Sequence, residues 1–207
     1  MADYIDRSLD INLALKNKSV LLLGPRRTGK SQLIKNEVKP DLSYNLLYAD
    51  TFRRLSVRPQ LIREELSSKK NQLIVIDEIQ KLPLLMDEVH AMIEEMGARF
   101  LLTGSSARKL KRSHTSLMAG RASVKYLHPF SYSELPDFQL NKILNVGSIP
   151  GIYFASNPRS ELREYCGQYL KEEIMAEALV RKVENFSRFI EFAALSNGQI
   201  LNFESLG

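Results

Sequence analysis

The sequence predicts an α/β fold in which a parallel β-sheet lies between two layers of helices. Short apolar runs alternate with stretches whose apolar residues recur at helical spacing, which is typical of parallel strands joined by helices. Several of the runs are continuous, as expected for strands buried on both faces. The chain has 207 residues, 44% of them hydrophobic, which is enough for a sizeable core. The runs assigned to strands are residues 20–23, 46–50, 73–76, 100–102 and 123–127.

The first strand leads into a loop with the spacing of a phosphate-binding loop. Residues 24–31 read GPRRTGKS, which has the form G-x-x-x-x-G-K-[ST], and a helix-like stretch follows. Such a loop points backbone N–H groups at a polyphosphate, and the helix N-terminus adds partial positive charge. We expect Lys30 to reach the β- and γ-phosphates and the Ser31 hydroxyl to bind Mg²⁺. The predicted nucleotide-binding residues of this loop are Gly24, Pro25, Arg26, Arg27, Thr28, Gly29, Lys30, Ser31 and Gln32.

The residues before the first strand are predicted to lie near the base of the nucleotide. Tyr4 and Ile5 have the apolar surfaces that pack against an adenine ring. An ordinary helix cap on the sheet is the alternative role for this segment.

Acidic residues lie at the ends of the second and third predicted strands. The second strand, at 46–50, is predicted to end in an acid, and a helix is expected near Pro59. The third strand, at 73–76, is followed directly by Asp77 and Glu78. An acid in this position holds Mg²⁺ beside the Ser31 hydroxyl, and that acid is Asp77. Glu78 is placed to orient or deprotonate a water in line with the γ-phosphate.

A further helix and a strand ending in hydroxyl groups come next. Apolar residues recur at helical spacing over 84–96, and Gly97 is expected to end that helix. The strand at 100–102 leads into Thr103-Gly104-Ser105-Ser106. We predict that Ser105 contacts the attacking water or the γ-phosphate, and that Ser106 caps the following helix.

Four motifs in this order resemble one family. GPRRTGKS, LIVIDEIQKLP, FLLTGSSARKL and LMAGRASVKYLHPFSYSEL resemble the AAA-type P-loop ATPases of bacteria and archaea that carry a carboxy-terminal winged-helix domain of unknown function. Residues 4–7 and 147–151 resemble that family's flanking signatures, with Ser148 where glycine is more usual. The resemblance implies a P-loop three-layer sandwich with sheet order 5-1-4-3-2. It also implies phosphate and Mg²⁺ contacts for Lys30, Ser31 and Asp77, a catalytic acid at Glu78, and a sensor at 103–106.

The rest of the chain is expected to form a helical lid and the beginning of another domain. Residues 160–183 and 186–195 have helical periodicity, and 199–207 resemble the opening of a winged helix-turn-helix. We therefore predict a core at 1–135, a lid or linker at 136–195 and the start of a truncated winged helix-turn-helix at 196–207. Cys166 falls on the apolar face of the lid helix and is expected in its core.

Composition limits the partners and the location. The net charge is +5, which permits nucleic-acid contact without requiring it. Because a recognition helix is missing, at most weak, salt-sensitive DNA binding is expected. The apolar runs are too short to span a bilayer, so a cytoplasmic protein without membrane contact is predicted. A homo-oligomer or a partner protein remains open.

These residues predict a Mg²⁺-dependent ATPase whose nucleotide state moves the lid or a partner. The alternative is a nucleotide-dependent switch or docking module with little or no hydrolysis. A kinase is disfavoured by the pair Asp77 and Glu78 and by the hydroxyls of the fourth strand. No N-K-x-D element for guanine is present in the sequence, which favours ATP over GTP modestly.

Arg121 is the predicted arginine finger. It follows Gly120 just before the fifth strand, and an arginine acting in cis or in trans stabilises the charge of phosphoryl transfer. Arg26 and Arg27 are alternatives within the phosphate loop. The competing role for Arg121 is a structural ion pair at the edge of the sheet.

Overall fold

A computed structural model describes residues 4–66, 71–105, 120–169 and 183–199. Its contacts divide the chain into two compact units, Met1–Pro158 and Arg159–Gly207. The first unit contains the sheet. In the described ranges, no helix has the length and apolar character needed to cross a membrane.

The described part of the first unit is built on a five-stranded parallel sheet. Its order is β2-β3-β4-β1-β5, which confirms the predicted order 5-1-4-3-2. The strands are Ser19–Leu23 (β1), Leu42–Asn45 (β2), Leu73–Asp77 (β3), Arg99–Gly104 (β4) and Ala122–Tyr126 (β5). The helices of the described residues are Ile11–Asn17 (α1), Lys30–Glu37 (α2), Ala49–Val57 (α3), Leu61–Glu64 (α4), Leu85–Met96 (α5), Leu140–Val146 (α6), Pro150–Tyr153 (α7), Pro158–Tyr169 (α8) and Val183–Leu195 (α9). Short 3₁₀ turns lie at Ile79–Lys81 and Tyr132–Glu134.

The central strands β1, β3 and β4 are buried on both faces, as the continuous apolar runs predict. Alternate residues of β1 point to opposite faces, so Val20 packs in one apolar cluster and Leu21 in the other. Ile11 and Leu33 bring α1 and α2 onto the Val20 face. The helices α3, α4 and α5 cover the Leu21 face through buried residues that include Leu55, Ile62, Leu85 and Val89. The central strands are therefore held rigidly, and their carboxyl ends form a fixed edge.

The second strand lies earlier in the chain than predicted. The prediction placed it at 46–50, whereas β2 spans Leu42–Asn45 and α3 begins at Ala49. The Asn45 side chain accepts a hydrogen bond from the Leu47 N–H (2.8 Å) and turns the chain there. Within the described residues, β2 is an edge strand that pairs only with β3, so it lacks the continuous apolar pattern of a central strand.

The helix predicted over 84–96 is confirmed. It spans Leu85–Met96 and ends at Gly97, whose φ of 63° is the left-handed conformation that glycine adopts readily. Its buried residues are Leu85, Met86, Val89 and Met92.

The second unit is described only in its helices. The helix α8 includes Cys166, which is exposed, so the expected core position is wrong. On α8 the spacing of apolar residues indicates one face of the helix, but none of the side chains described on it is buried. The predicted boundaries at 135 and 195 remain predictions. The start of a winged helix-turn-helix is expected at 196–207, of which residues 200–207 lie outside the described residues.

Candidate functional site

The glycine-rich loop joins the end of β1 to the start of α2 at the carboxyl edge of the sheet. A Cβ on Gly24 would lie 2.2 Å from the Leu127 carbonyl oxygen, so no larger residue fits there. Gly29 has a φ of 94° at the N-cap of α2, and its carbonyl accepts the Leu33 N–H (2.9 Å). The first N–H groups of a helix have no intrahelical acceptor and are available to an anion.

Lys30 is the first residue of α2 and lies across this loop. Its Nζ donates to the carbonyl oxygens of Gly24 (2.7 Å) and Pro25 (3.0 Å). The side chain is buried, with 6% of the residue exposed. A phosphate oxygen is a stronger acceptor for an ammonium group than a neutral carbonyl, so the arrangement suits an exchange of these partners for phosphate.

Ser31 and Asp77 meet at the same edge. The Ser31 hydroxyl donates to Asp77 Oδ2 at 3.0 Å, and the Thr103 hydroxyl donates to Asp77 Oδ1. Asp77 is 6% exposed, and both of these hydrogen bonds come from neutral hydroxyl groups. A buried carboxylate requires a compensating charge. Because hydroxyl and carboxylate oxygens are ligands that Mg²⁺ prefers, the site fits this ion.

Glu78 follows Asp77 in a left-handed conformation, with a φ of 62°. Its N–H donates to the Thr103 hydroxyl oxygen (3.0 Å), and its carboxylate accepts a hydrogen bond from Gln80 Nε2. Glu78 lines a cavity of about 290 Å³ together with Lys30 and Ser31. The turn after β3 therefore brings a carboxylate to the cavity that the phosphate loop borders.

A second cavity, of about 390 Å³, lies beside the loop. Gly29 and Gln32 line both cavities, so the two cavities are neighbours. Tyr4 and Ile5 are among its walls, and other apolar walls are Phe130, Pro150 and Phe154. The rings of Phe130 and Phe154 meet edge to face at 6.0 Å. These surfaces are suited to a planar aromatic group.

The surroundings of the Tyr4 hydroxyl keep it protonated. It donates to Glu37 Oε1 at the end of α2. Burial, followed by this hydrogen bond, raises the pKa of Tyr4 above its ordinary value. Tyr4 therefore stays a neutral donor, and its ring forms part of the cavity wall.

Arg121 lies at the opposite edge of the sheet from the phosphate loop. The register pairs Ser19 with Ala122, so Arg121 precedes β5 at the amino edge, whereas the loop follows Leu23. A five-residue strand separates these edges by about 15 Å. Arg121 Nε contacts Glu94 Oε1, and this hydrogen bond and charge lower the pKa of Glu94. The prediction that Arg121 acts as an arginine finger within its own chain is therefore wrong. The ion pair given as the alternative role is present.

The hydroxyl that contacts the acidic pair is Thr103. Its side chain is completely buried and links Asp77 to the Glu78 backbone. Ser105 lies beyond the end of β4 and is half-buried, and its role at the γ-phosphate stays a prediction. Ser106 lies outside the described residues.

Arg7, which contacts the loop, and its partner Glu134 have no role among the sequence-based predictions. Arg7 donates to the Thr28 carbonyl and contacts Glu134. A signal for Glu134 exists in the sequence, because Ser131 and Glu134 have the spacing of a capping box, which the structure contains.

Comparisons with known proteins identify one family and two relatives. A family described as "AAA domain" matches residues 16–136. The chain is 25% identical to the uncharacterized protein MJ1544 of Methanocaldococcus jannaschii, over 91% of this chain and 42% of that protein. It is also 25% identical to an uncharacterized protein of Haemophilus influenzae, over 88% of this chain and 52% of that protein. The chain thus spans about half the length of these relatives or less.

Two solved structures have a low degree of similarity to this chain. One is described as the structure of C. elegans PCH-2, with a TM-score of 0.35, 16% identity, and coverage of 60% of this chain and 38% of that chain. The other is described as the structure of Drosophila ORC bound to AT-rich DNA and Cdc6, with a TM-score of 0.38 and 10% identity. It covers 89% of this chain and 78% of that chain.

Proposed function

This chain belongs to the AAA domain family, and from that premise we propose that it binds ATP with Mg²⁺ and hydrolyses the ATP to ADP and phosphate. The observation that carries the proposal is the hydrogen bond of 3.0 Å between the Ser31 hydroxyl and the buried carboxylate of Asp77. This pair adjoins Lys30 at the phosphate loop. The same edge of the sheet therefore offers oxygen ligands for a cation and donors for an anion.

In this proposal each residue of the site has one role. The N–H groups of residues 26–32 and the Lys30 ammonium hold the phosphates, while Ser31 and Asp77 hold Mg²⁺. Bound Mg²⁺ supplies positive charge to the phosphate oxygens. Glu78 accepts a proton from the water that attacks the γ-phosphorus, as the bond from that phosphorus to the β–γ bridging oxygen breaks.

The cavity beside the loop is proposed to take the base. Tyr4, Ile5, Phe130 and Phe154 line it, and their ring and apolar surfaces stack on adenine without distinguishing it strongly from guanine. The preference for ATP rests on the modest argument that the sequence lacks an N-K-x-D element.

Coupling of nucleotide state to the lid is a further part of the proposal. Arg27 of the phosphate loop donates from Nη2 to the Gly151 carbonyl of α7 at 3.0 Å, and α7 lies within residues 136–195. A phosphate competes for a guanidinium group better than a neutral carbonyl does. Occupation of the loop is thus expected to alter this contact.

A low-turnover switch is the second candidate function. The observation that favours it is the hydrogen bond from Gln80 Nε2 to the Glu78 carboxylate, which occupies the group proposed to take the proton. In a switch this bond would persist with ATP bound.

The binding proposal is tested with Asp77→Asn. This change keeps the shape and removes the charge that a cation would neutralise, so we expect ATP affinity in the presence of Mg²⁺ to fall by about tenfold or more. Affinity measured with EDTA should change little. Asp50→Asn, on the exposed start of α3, is the control and should bind as the wild type does. Equal Mg²⁺ dependence in Asp77→Asn and the wild type would contradict the proposal.

For Arg121 we propose a role only between chains. Arg121→Ala should keep ATP affinity within a few-fold and lower hydrolysis by about a hundredfold. Wild-type activity should then rise more than linearly with protein concentration, and mixing Arg121→Ala with Lys30→Ala should restore some turnover. Normal hydrolysis by Arg121→Ala would limit the residue to its ion pair with Glu94.

Binding to DNA is proposed to be weak and independent of sequence. It rests on the positive net charge of +5 and on the expected winged helix-turn-helix, of which residues 200–207 lie outside the described residues. Such binding should decrease steeply as salt is raised.

A further inference from the structure

Arg7 is a buried arginine that contacts the back of the phosphate loop. Its side chain is 4% exposed, and that of its partner Glu134 is 5% exposed. Arg7 precedes α1, and Glu134 belongs to the 3₁₀ turn that follows β5. Burying two such charges costs free energy of folding unless they are paired and hydrogen-bonded. The contacts of both groups therefore determine whether the pair is stable.

The guanidinium group of Arg7 uses each of its nitrogens. Nη1 donates to the Thr28 carbonyl at 2.8 Å, Nη2 donates to the His128 carbonyl at 2.7 Å, and Nε donates to Glu134 Oε1 at 3.1 Å. The plane also lies over the Phe130 ring, 4.8 Å from its centroid. Arginine provides this fork of donors, which a lysine lacks.

The bond to Thr28 fixes one peptide unit of the loop. In a trans peptide the C=O of Thr28 and the N–H of Gly29 point in opposite directions. Because the Thr28 oxygen is held by Arg7, the Gly29 N–H is turned to the other side of the loop. Gly29 lines the cavity that also contains Lys30 and Ser31, where an anion bound at the loop could accept a hydrogen bond from this N–H.

Glu134 holds Arg7 in this position. Its carboxylate accepts hydrogen bonds from the Ser8 N–H (2.8 Å), the Ser8 hydroxyl (2.9 Å) and the Ser131 N–H (2.9 Å), besides those from Arg7. Burial opposes ionisation of Glu134, but these hydrogen bonds outweigh it and lower its pKa to about 2. The stabilisation that the ion pair provides is therefore complete above the ordinary pKa of 4.5 and is lost as the pH falls towards 2.

We propose that Arg7, held by Glu134, is a positioning residue that sets the affinity of the phosphate loop for polyphosphate. The inference rests on the proposed nucleotide binding. Arg7 also lines the cavity proposed for the base, but its proposed effect on the phosphates acts through the Thr28–Gly29 peptide. It also links the phosphate loop to the 3₁₀ turn after β5, since the same guanidinium group contacts both.

The test measures the affinity of Mg²⁺-ATP and of Mg²⁺-pyrophosphate for the wild type and for Arg7→Met. Loss of the charge-assisted hydrogen bond to Thr28 should weaken both ligands by the same factor, about tenfold or more. The amide resonance of Gly29 should shift on pyrophosphate addition in the wild type and much less in the variant. Arg53→Met, on the exposed face of α3, removes the same group elsewhere and should leave both affinities unchanged.

Two further variants keep the inference open to refutation. Arg7→Lys retains the charge without the fork and should recover only part of the affinity. If Arg7→Met does not fold, Glu134→Gln, which removes the charge that holds Arg7, must show the parallel fall for both ligands. A loss for ATP alone, with pyrophosphate unaffected, would show that Arg7 acts only as a cavity wall and would overturn the inference. A wild type that binds neither ligand would instead refute the proposed function itself.

Discussion

Glu78→Gln is expected to lower ATP hydrolysis by about 10²-fold to 10⁴-fold, the range of a general base, while ATP affinity stays within a few-fold. The amide keeps the size of the side chain and its hydrogen bond to Gln80, but it cannot take a proton from water. Binding should persist because the phosphate contacts proposed for the loop and for Lys30 do not involve the Glu78 carboxylate. The measurements are phosphate release at saturating Mg²⁺-ATP and nucleotide affinity by titration.

The control for this experiment is Glu95→Gln. Glu95 is exposed on α5 and lines neither cavity beside the loop, so its variant should hydrolyse ATP at the wild-type rate. Comparable hydrolysis by Glu78→Gln and the wild type would remove Glu78 from the mechanism. If the wild type itself binds ATP tightly and shows no turnover above background, the switch becomes the better description of this chain.

The parts of the fold that sequence predicts well are those whose signal is local. The strands β1, β3 and β4 are central in the sheet, and burial on both faces requires the continuous apolar runs that identify them. The edge strand β2 is not buried on both faces, so it needs no continuous apolar run. The apolar residues at 46–49 therefore led to a strand predicted after the true one. Leu46 is buried, but it follows the strand.

The position of Arg121 shows why the sequence alone does not predict which edge of the sheet a residue lies on. A residue just before a parallel strand lies at the amino edge, whereas the ligand-binding loops follow the strands at the carboxyl edge. Proximity to a strand in the sequence therefore does not show proximity to the phosphate loop. The register of β1 with β5, which pairs Ser19 with Ala122, places Arg121 at the amino edge.

Contacts between distant segments account for the rest of the site. The motif spacing predicts Lys30, Ser31 and Asp77 as site residues, because each lies at or after the end of a strand at one edge. In contrast, Arg7 and Glu134 are separated by 127 positions. Both lie in stretches that resemble the family's motifs, but neither stretch indicates that the two residues pair. Their pairing depends on how the segment before α1 packs against the turn after β5, which only the tertiary structure shows.

Lys30→Met is expected to remove most nucleotide binding, with a fall in ATP affinity of about a hundredfold or more, because two charge-assisted hydrogen bonds to phosphate are lost. Methionine replaces the buried stem of Lys30 at similar volume, so a large loss of packing is not expected. The Nζ bonds to the Gly24 and Pro25 carbonyls are lost as well, so thermal unfolding of the variant must be measured beside ATP affinity. Lys39→Met removes the same charge from an exposed site after α2 and should bind ATP as the wild type does. A folded Lys30→Met protein with wild-type affinity would mean that the loop holds no phosphate at this lysine, and the proposed nucleotide site would fail with it.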